Sequence, residues 1–238
     1  MNEEFCDIKT GICEPSNINE LYQIGTEVGT SKIELIYIGD PMCSWCWGIS
    51  PSLIKLRDHF AKEGLPYKTL VGGLRPGGGD PWNSEMKSFL RHHWDQVNDR
   101  SGQPFGYKLF EYENFNYDTE PSCRAVVTAR HLLNVSEMEL FEEIQRKFYV
   151  DSEDPTQVNF YKSICQKFDV DFHKFEKFFN SDETKQETNR EFILSRNWGI
   201  QSYPAVILRS ENKLTYIAQG FSTFEDMKSN VSKSIMGT

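Results

Sequence analysis

The segment that decides the fold lies at residues 40–48 and reads DPMCSWCWG. Two residues separate Cys43 from Cys46, so both thiols fall within about one turn of a helix. Thiol–disulfide exchange needs one thiolate that attacks a disulfide and a second thiol close enough to resolve the mixed disulfide. The segment therefore predicts a redox-active dithiol in which Cys43 attacks and Cys46 resolves.

The residues on either side of the dithiol predict a strand, a helix and a second strand. Residues 33–38 are rich in β-branched and aromatic side chains and end at a Gly-Asp-Pro turn, which is typical of a buried strand. Apolar side chains recur at helical spacing over residues 46–62, and residues 67–71 form the next strand. This pattern indicates a βαβ unit with parallel strands and with the dithiol at the start of its helix.

The helix start sets the expected reactivity of Cys43. Unpaired backbone N–H groups and the helix dipole stabilise a negative sulfur there, so we expect the pKa of Cys43 to lie below the free-thiol value of about 8.5. The alternative interpretation of a Cys-x-x-Cys segment is half of a zinc site. That site needs another pair of ligands at suitable spacing, and the adjacent His92 and His93 diverge on a helix. No metal is therefore expected.

The rest of the chain predicts an α/β domain that is split by an all-helical insertion. Helical patterns occupy residues 84–97, 122–133, 137–149, 156–168 and 172–179, and strands return at 205–209 and 214–218 before a last helix at 223–235. We expect an N-terminal tail at 1–30 that carries Cys6 and Cys13, an α/β domain built from 31–80 and 197–238, and a helical insertion domain at 81–196.

Composition narrows the range of partners and locations. The formal net charge of −9 argues against a nucleic-acid surface. The first residues carry acids where a secretory signal needs bases, and about 18 consecutive apolar residues occur nowhere, so we expect a cytoplasmic protein without a membrane partner. Six cysteines are too few for a disulfide scaffold in a chain of 238 residues. Close pairs are therefore better interpreted as redox sites.

Several segments together resemble a known family. Residues 40–48 are similar to the signature of DsbA-like thioredoxin-fold proteins, and the chain resembles most the FrnE-like branch of predicted protein disulfide isomerases. Further similar segments are GGLRPG at 72–77, RHHW at 91–94, GQPF at 102–105 and YDTEPSCRAV at 117–126. The resemblance implies a thioredoxin-like fold interrupted by a helical insertion that caps the dithiol. It also implies a thiol–disulfide oxidoreductase, or protein disulfide isomerase-like enzyme, that works through a redox-active disulfide.

The same resemblance assigns a role to Pro204. In thioredoxin-like folds a cis-proline faces the dithiol just before a strand, and Ser202-Tyr203-Pro204 stands at that place. We expect the cis-Pro204 loop to pair with an extended substrate. Trp45, Trp47 and Tyr203 are expected to line the substrate groove.

The implied partners are protein or small thiol and disulfide substrates and an unidentified reductant. No cofactor is expected beyond the disulfide, with glutathione as a candidate co-substrate. Ser44-Trp45 stands where the strongest periplasmic oxidant has Pro-His. Because a His between the cysteines stabilises the thiolate and makes the disulfide more oxidising, we expect a less oxidising potential here.

The remaining cysteines allow more than one interpretation. Cys6 and Cys13 either form an auxiliary dithiol or are two exposed thiols with no shared role. Cys123 and Cys165 are expected to be structural.

Two other functions stay open. One is a glutathione-dependent small-molecule isomerase or transferase of the same superfamily, which needs a single nucleophile and no resolving thiol. The other is a redox-sensing adaptor, whose dithiol would look the same in sequence.

Overall fold

The structure is a computed structural model that describes residues 6–7, 12–13, 33–210 and 213–236. Most of the predicted tail lies outside the described residues. Its described part consists of β1 (Cys6–Asp7) and β2 (Ile12–Cys13), which pair as a short antiparallel ladder.

A four-stranded sheet forms the centre of the molecule. Its strands are β3 (Glu34–Gly39), β4 (Tyr67–Val71), β5 (Ala205–Ser210) and β6 (Lys213–Gln219), in the order β4-β3-β5-β6. β3 and β4 are parallel, and α1 (Ser44–Ala61) is the crossover that a parallel pair requires. β5 runs antiparallel to both β3 and β6. The predicted βαβ unit and the α/β fold class are confirmed.

Helices fill the chain between β4 and β5. They are α2 (Ser84–Ser101), α3 (Glu120–Thr128), α4 (Glu137–Tyr149), α5 (Lys162–Lys167), α6 (Phe172–Phe179) and α7 (Asp182–Asn197). Short 3-10 turns lie at Lys108–Glu111, Ala129–His131 and Val158–Tyr161, and α8 (Phe224–Met236) ends the described chain. The all-helical character predicted for this region is therefore correct, although two predicted helices begin or end in 3-10 turns.

α7 is a helix that the sequence patterns did not reveal. Its buried face carries Thr184, Thr188, Glu191, Phe192 and Ser195, which recur at helical spacing but are mostly polar. Their polar atoms find partners inside the fold: the Thr188 hydroxyl donates to the Thr184 carbonyl, and a Glu191 carboxylate oxygen accepts from the Val71 N–H at 2.9 Å. Because these buried residues are mostly polar, the sequence of α7 shows no apolar periodicity.

The helical region shares one hydrophobic core with the sheet. Successive residues of β3 face opposite layers, so Leu35 and Tyr37 lie in the larger apolar cluster and Ile36 and Ile38 in a second one. The larger cluster also contains side chains from α4, α6 and α7, and the Phe141 ring packs edge-on against Tyr37 at 5.5 Å. Whether residues 81–196 fold as a separate domain stays a prediction.

The end of α2 is fixed to α1 through a carbonyl that Pro51 leaves free. In a helix the Trp47 carbonyl accepts from the N–H of residue 51, and proline has none. The Gln103 side-chain amide donates to this carbonyl at 3.0 Å, as does the Ser50 hydroxyl. The Trp47 indole N–H in turn donates to the Pro104 carbonyl at 3.1 Å.

Within the described residues, no helix combines the length and the apolar character that a membrane crossing requires.

The shared core leads to a prediction for Phe141→Ala. Phe141 is fully buried, and removing its ring leaves a cavity between α4 and β3, so we expect a loss of about 3–5 kcal/mol in the free energy of unfolding. Urea denaturation followed by circular dichroism and by tryptophan fluorescence measures it. Leu133→Ala is the control, because Leu133 is 92% exposed and should change the free energy of unfolding by less than about 0.5 kcal/mol. Different transition midpoints by circular dichroism and by tryptophan fluorescence would contradict a shared core.

Candidate active site

Cys43 caps the N-terminus of α1. Its backbone is extended (φ −85°, ψ 116°), and its carbonyl accepts the first helical hydrogen bond from the Trp47 N–H. The Cys43 N–H donates back to the Asp40 carbonyl at 3.0 Å, which closes the turn between β3 and α1. Cys46 follows in the first turn of the helix, and both cysteines are fully buried free thiols. The predicted position of the dithiol at a helix start is correct.

The loop before β5 lies against this dithiol. The peptide bond between Tyr203 and Pro204 is cis, as the sequence predicts. The Cys43 thiol donates to the Tyr203 carbonyl, with the sulfur 3.8 Å from the oxygen. The structure thus brings together two predicted site elements that lie 160 residues apart in the chain.

Gly72 makes room for this loop. The Tyr203 ring packs directly on Gly72, and a Cβ placed there would lie 2.1 Å from the ring carbons. The Tyr203 hydroxyl donates to the Gly72 carbonyl at 2.7 Å. A glycine is needed at position 72 because any side chain would displace Tyr203 from its place beside the dithiol.

Burial determines the acidity of Cys43. The pKa of the Cys43 thiol is raised well above its ordinary value, first by desolvation and then by the Cys46 sulfur. The lowered pKa expected from the helix start is therefore wrong for this closed arrangement. A helix dipole contributes about 0.3–1 kcal/mol at an exposed site, whereas complete burial shifts a pKa by several units at about 1.4 kcal/mol each. Desolvation outweighs the dipole, and Cys43 is held as a thiol.

Asp40 is a site residue to which the sequence patterns gave no role of its own. Its carboxylate is fully buried and accepts hydrogen bonds from the Met42 N–H at 2.8 Å and the Leu74 N–H at 2.7 Å. The Cys123 thiol at the start of α3 also donates to it, at 3.4 Å. Burial raises the pKa of Asp40, and its charge adds to the rise in the pKa of Cys43. One carboxylate therefore joins the turn before the dithiol, the loop after β4 and the helical region.

Buried phenols surround the dithiol on its other sides. The Tyr117 hydroxyl donates to the Met42 carbonyl at 2.7 Å, and the Tyr149 ring stacks on Trp47. The Tyr37 hydroxyl packs over Gly39 in the same strand. A Cβ built on Gly39 would lie only 2.2 Å from this hydroxyl. Burial and then the Cys46 sulfur raise the pKa of Tyr37, so the phenol stays protonated. A glycine two residues after a tyrosine in the strand is the sequence signal that would have pointed to this arrangement.

The predicted substrate groove is not open in this structure. Trp45, Trp47 and Tyr203 are 1%, 7% and 0% exposed, and the Trp45 ring packs edge-on against Phe221. The three side chains form packing around the dithiol rather than an accessible surface. A small pocket does lie beside Ser44; it is lined by Met42, Ser44, Leu74, Arg75, Phe89, Leu90, His93 and Tyr117.

The two other cysteines whose side chains are described, Cys123 and Cys165, are both buried. Cys165 is buried in the larger core cluster, where burial raises its pKa to about 11, and Cys123 is buried against Asp40. The side chains of Cys6 and Cys13 lie outside the described residues. In the part of the chain that the structure describes, no three or more His, Cys, Asp and Glu side chains are grouped so as to hold a metal ion.

The fold and the site define a thiol–disulfide oxidoreductase with a thioredoxin-like fold. No protein-family model and no curated protein matches the chain. Among solved structures, a candidate protein disulfide isomerase from Nitrosomonas europaea is 32% identical, with a TM-score of 0.78 over 87% of this chain and 98% of the other.

Two more distant structures share the fold. The cytosolic disulfide reductase DsbM from Pseudomonas aeruginosa, also solved with glutathione, is 19% identical, with a TM-score of 0.70 over 86% of this chain and 100% of the other. A candidate DsbA oxidoreductase from Streptomyces coelicolor is 12% identical, with a TM-score of 0.68 over 87% and 92%. The chain belongs to the DsbA-like family of thiol–disulfide oxidoreductases. These similarities do not single out the FrnE-like branch.

The raised pKa of Cys43 predicts that its alkylation rate keeps rising with pH, unlike that of a thiol whose pKa is lowered. Only the thiolate reacts, and the pKa lies well above the ordinary value of 9.0, so the rate of labelling by iodoacetamide should still rise about tenfold per pH unit from pH 7 to pH 9. Quenched labelling is read by fragmentation mass spectrometry of the tryptic peptide 33–55, which also contains Cys46, so that the label is assigned to residue 43 itself. Cys43→Ser removes the label at that position and serves as the control. A plateau in the rate near pH 7 would contradict the assignment.

Proposed function

We propose that the protein is a dithiol enzyme that reduces disulfides, with Cys43 as the attacking thiol and Cys46 as the resolving thiol. The observation that carries this proposal is the contact of the Cys43 sulfur, at the start of α1, with the carbonyl that precedes cis-Pro204. An extended substrate could pair with this backbone while its sulfur meets Cys43. We assign Pro204 to the site for this reason.

The proposed reaction has two exchange steps. The Cys43 thiolate attacks one sulfur of a substrate disulfide, the S–S bond breaks, and the leaving thiolate takes a proton. The Cys46 thiolate then attacks the Cys43 sulfur of the mixed disulfide and releases the second substrate thiol. The substrate gains two electrons and two protons, and Cys43 and Cys46 become a disulfide. Two small thiols restore the dithiol by the reverse exchange and become a disulfide themselves.

The electrostatics of the site favour net reduction of the substrate. A strong oxidant is one whose reduced form is stabilised, chiefly as a thiolate. Here burial opposes the Cys43 thiolate, and the neighbouring Asp40 charge opposes it further. The Tyr203 carbonyl accepts a hydrogen bond that only the protonated thiol can donate. All three effects withhold the thiolate stabilisation that makes a disulfide strongly oxidising, so the Cys43–Cys46 disulfide should be less oxidising than one whose thiolate is stabilised.

The proposed substrates are disulfides of small molecules or of locally unfolded protein segments, with glutathione as co-substrate. The dithiol is fully buried, so the surroundings of Cys43 must open during each turnover. The small pocket beside Ser44 is lined by Arg75 and His93, and the Arg75 guanidinium pairs there with the Asp80 carboxylate at 2.6 Å. A carboxylate of glutathione would take the place of Asp80 on this guanidinium. The solved complex of the Pseudomonas reductase with glutathione supports this substrate class. The cytosolic location of that reductase supports a cytoplasmic site of action.

The two other functions are less well supported. An isomerase or transferase that activates glutathione needs one nucleophile, and the buried second thiol of Cys46 then has no task. A redox-sensing adaptor would be oxidised once per molecule, whereas an enzyme turns over many times.

Serine substitutions separate these functions. Cys43→Ser should abolish glutathione-dependent reduction of insulin, because no thiolate is left to attack. Cys46→Ser, reduced and then incubated with substrate in the absence of glutathione, should accumulate a mixed disulfide, because no second thiol is present to resolve it. Turnover is measured by insulin turbidity and trapped species by non-reducing gels with mass spectrometry. Cys165→Ser is the matched control, a buried cysteine of the other core cluster, and should keep the wild-type rate. Activity retained by Cys43→Ser would refute the mechanism.

The reduction potential tests the proposed direction. We expect the Cys43–Cys46 pair to titrate at about −200 to −270 mV, the range of glutaredoxins and thioredoxin. Equilibration in glutathione buffers, followed by thiol trapping and mass spectrometry, gives the value. A potential near −120 mV, as in the strongest oxidant of this kind, would show that the site is built for oxidation instead.

A further inference from the structure

The two N-terminal cysteines lie opposite each other in the backbone of β1 and β2. The register of this antiparallel ladder sets Cys6 against Cys13 and Asp7 against Ile12. This register places the two cysteines within reach of each other, which thiols with no shared role do not require. The pairing therefore favours a common role for the two residues, which the sequence alone left undecided.

The ladder brings the two backbones to the separation that a disulfide needs. Residues directly opposed in an antiparallel pair have α-carbon separations of about 4.5–5.5 Å. Disulfides join residues whose α carbons are about 4.4–6.8 Å apart. The chain between the two cysteines, residues 7–12, is short, so closing this loop costs little entropy.

We propose that Cys6 and Cys13 form a second redox-active pair, which small disulfides oxidise and small thiols reduce. The pair is separate from the dithiol of Cys43 and Cys46 and does not depend on the function proposed for it. Its substrate class is a low-molecular-weight disulfide such as oxidised glutathione.

The exchange balances without a further oxidant. One of the two cysteine thiolates attacks the small disulfide, whose S–S bond breaks to release one thiol and leave a mixed disulfide. The other cysteine attacks the mixed disulfide, forms the Cys6–Cys13 bond and releases the second thiol. Cys6 and Cys13 together lose two electrons and two protons, and the small disulfide gains them.

Lys9 lies between the two cysteines and makes the bond directly measurable. Trypsin cuts after Lys9 and Lys32, so a Cys6–Cys13 disulfide joins peptides 1–9 and 10–32, which reduction separates. The full-length protein is equilibrated in glutathione buffers with a rising oxidised share, blocked with N-ethylmaleimide, digested and analysed by mass spectrometry. The linked species should increase with oxidised glutathione, both in the wild type and in Cys43→Ser/Cys46→Ser. Its absence at every ratio overturns the proposal, whatever the activity of the main dithiol.

A shifted variant provides the matched control. Ile12→Cys/Cys13→Ser keeps two cysteines in the same segment but moves one thiol by a single residue. Successive residues of a strand face opposite sides, so we expect about tenfold less linked species in this variant at the same buffer ratio. Equal amounts of linked peptide in the shifted variant and the wild type would show that chance encounters, and not the ladder, bring the cysteines together, and would overturn the proposal.

Discussion

The Cys43 sulfur lies at the start of α1 and against the carbonyl of Tyr203, without exposure to water. This contact joins the strand–helix unit near one end of the chain to the strand pair near the other. Each element around it is placed so that the contact can form: Gly72 makes room for the Tyr203 ring, and the Asp40 carbonyl holds the turn that presents Cys43. The fold therefore serves to keep one sulfur dry and next to one backbone oxygen.

Keeping the sulfur dry has a cost in reactivity. A buried thiol resists ionisation, and thiol–disulfide exchange proceeds through the thiolate. The closed arrangement is thus a resting state, and the reacting state needs access for water or substrate. Asp40 connects the elements that would have to move. Its carboxylate binds the turn before Cys43, the loop that begins with Gly72 and, through Cys123, the start of α3. Movement of any one of these elements alters the environment of the others.

Local patterns in the sequence were sufficient for the main framework. The β-branched and aromatic run of β3 and the spacing of the two cysteines depend on neighbouring residues, so they can be found without knowing the tertiary structure. The role of Pro204 came from the resemblance to thioredoxin-like folds. The acidity of Cys43 could not be found in this way, since it depends on complete burial by distant segments. Asp40 and Tyr37 were missed for a related reason, because each acquires its role from contacts across the fold. α7 escaped detection because Thr184 and Thr188 satisfy their polar groups internally and so replace apolar residues on a buried face.

The missing N–H of Pro51 sets the stability of helix α1 against the attachment of the Gln103 segment to that helix. The Trp47 carbonyl accepts from the Gln103 amide and the Ser50 hydroxyl, and no backbone N–H competes for it because Pro51 has none. A residue that favours the helix, such as alanine, would occupy this carbonyl from within α1 and compete with the Gln103 amide for it. A substitution that improves the helix locally would then loosen the attachment of the neighbouring segment beside the dithiol. Substitution at position 51 is therefore constrained by a carbonyl that no backbone N–H of its own helix occupies.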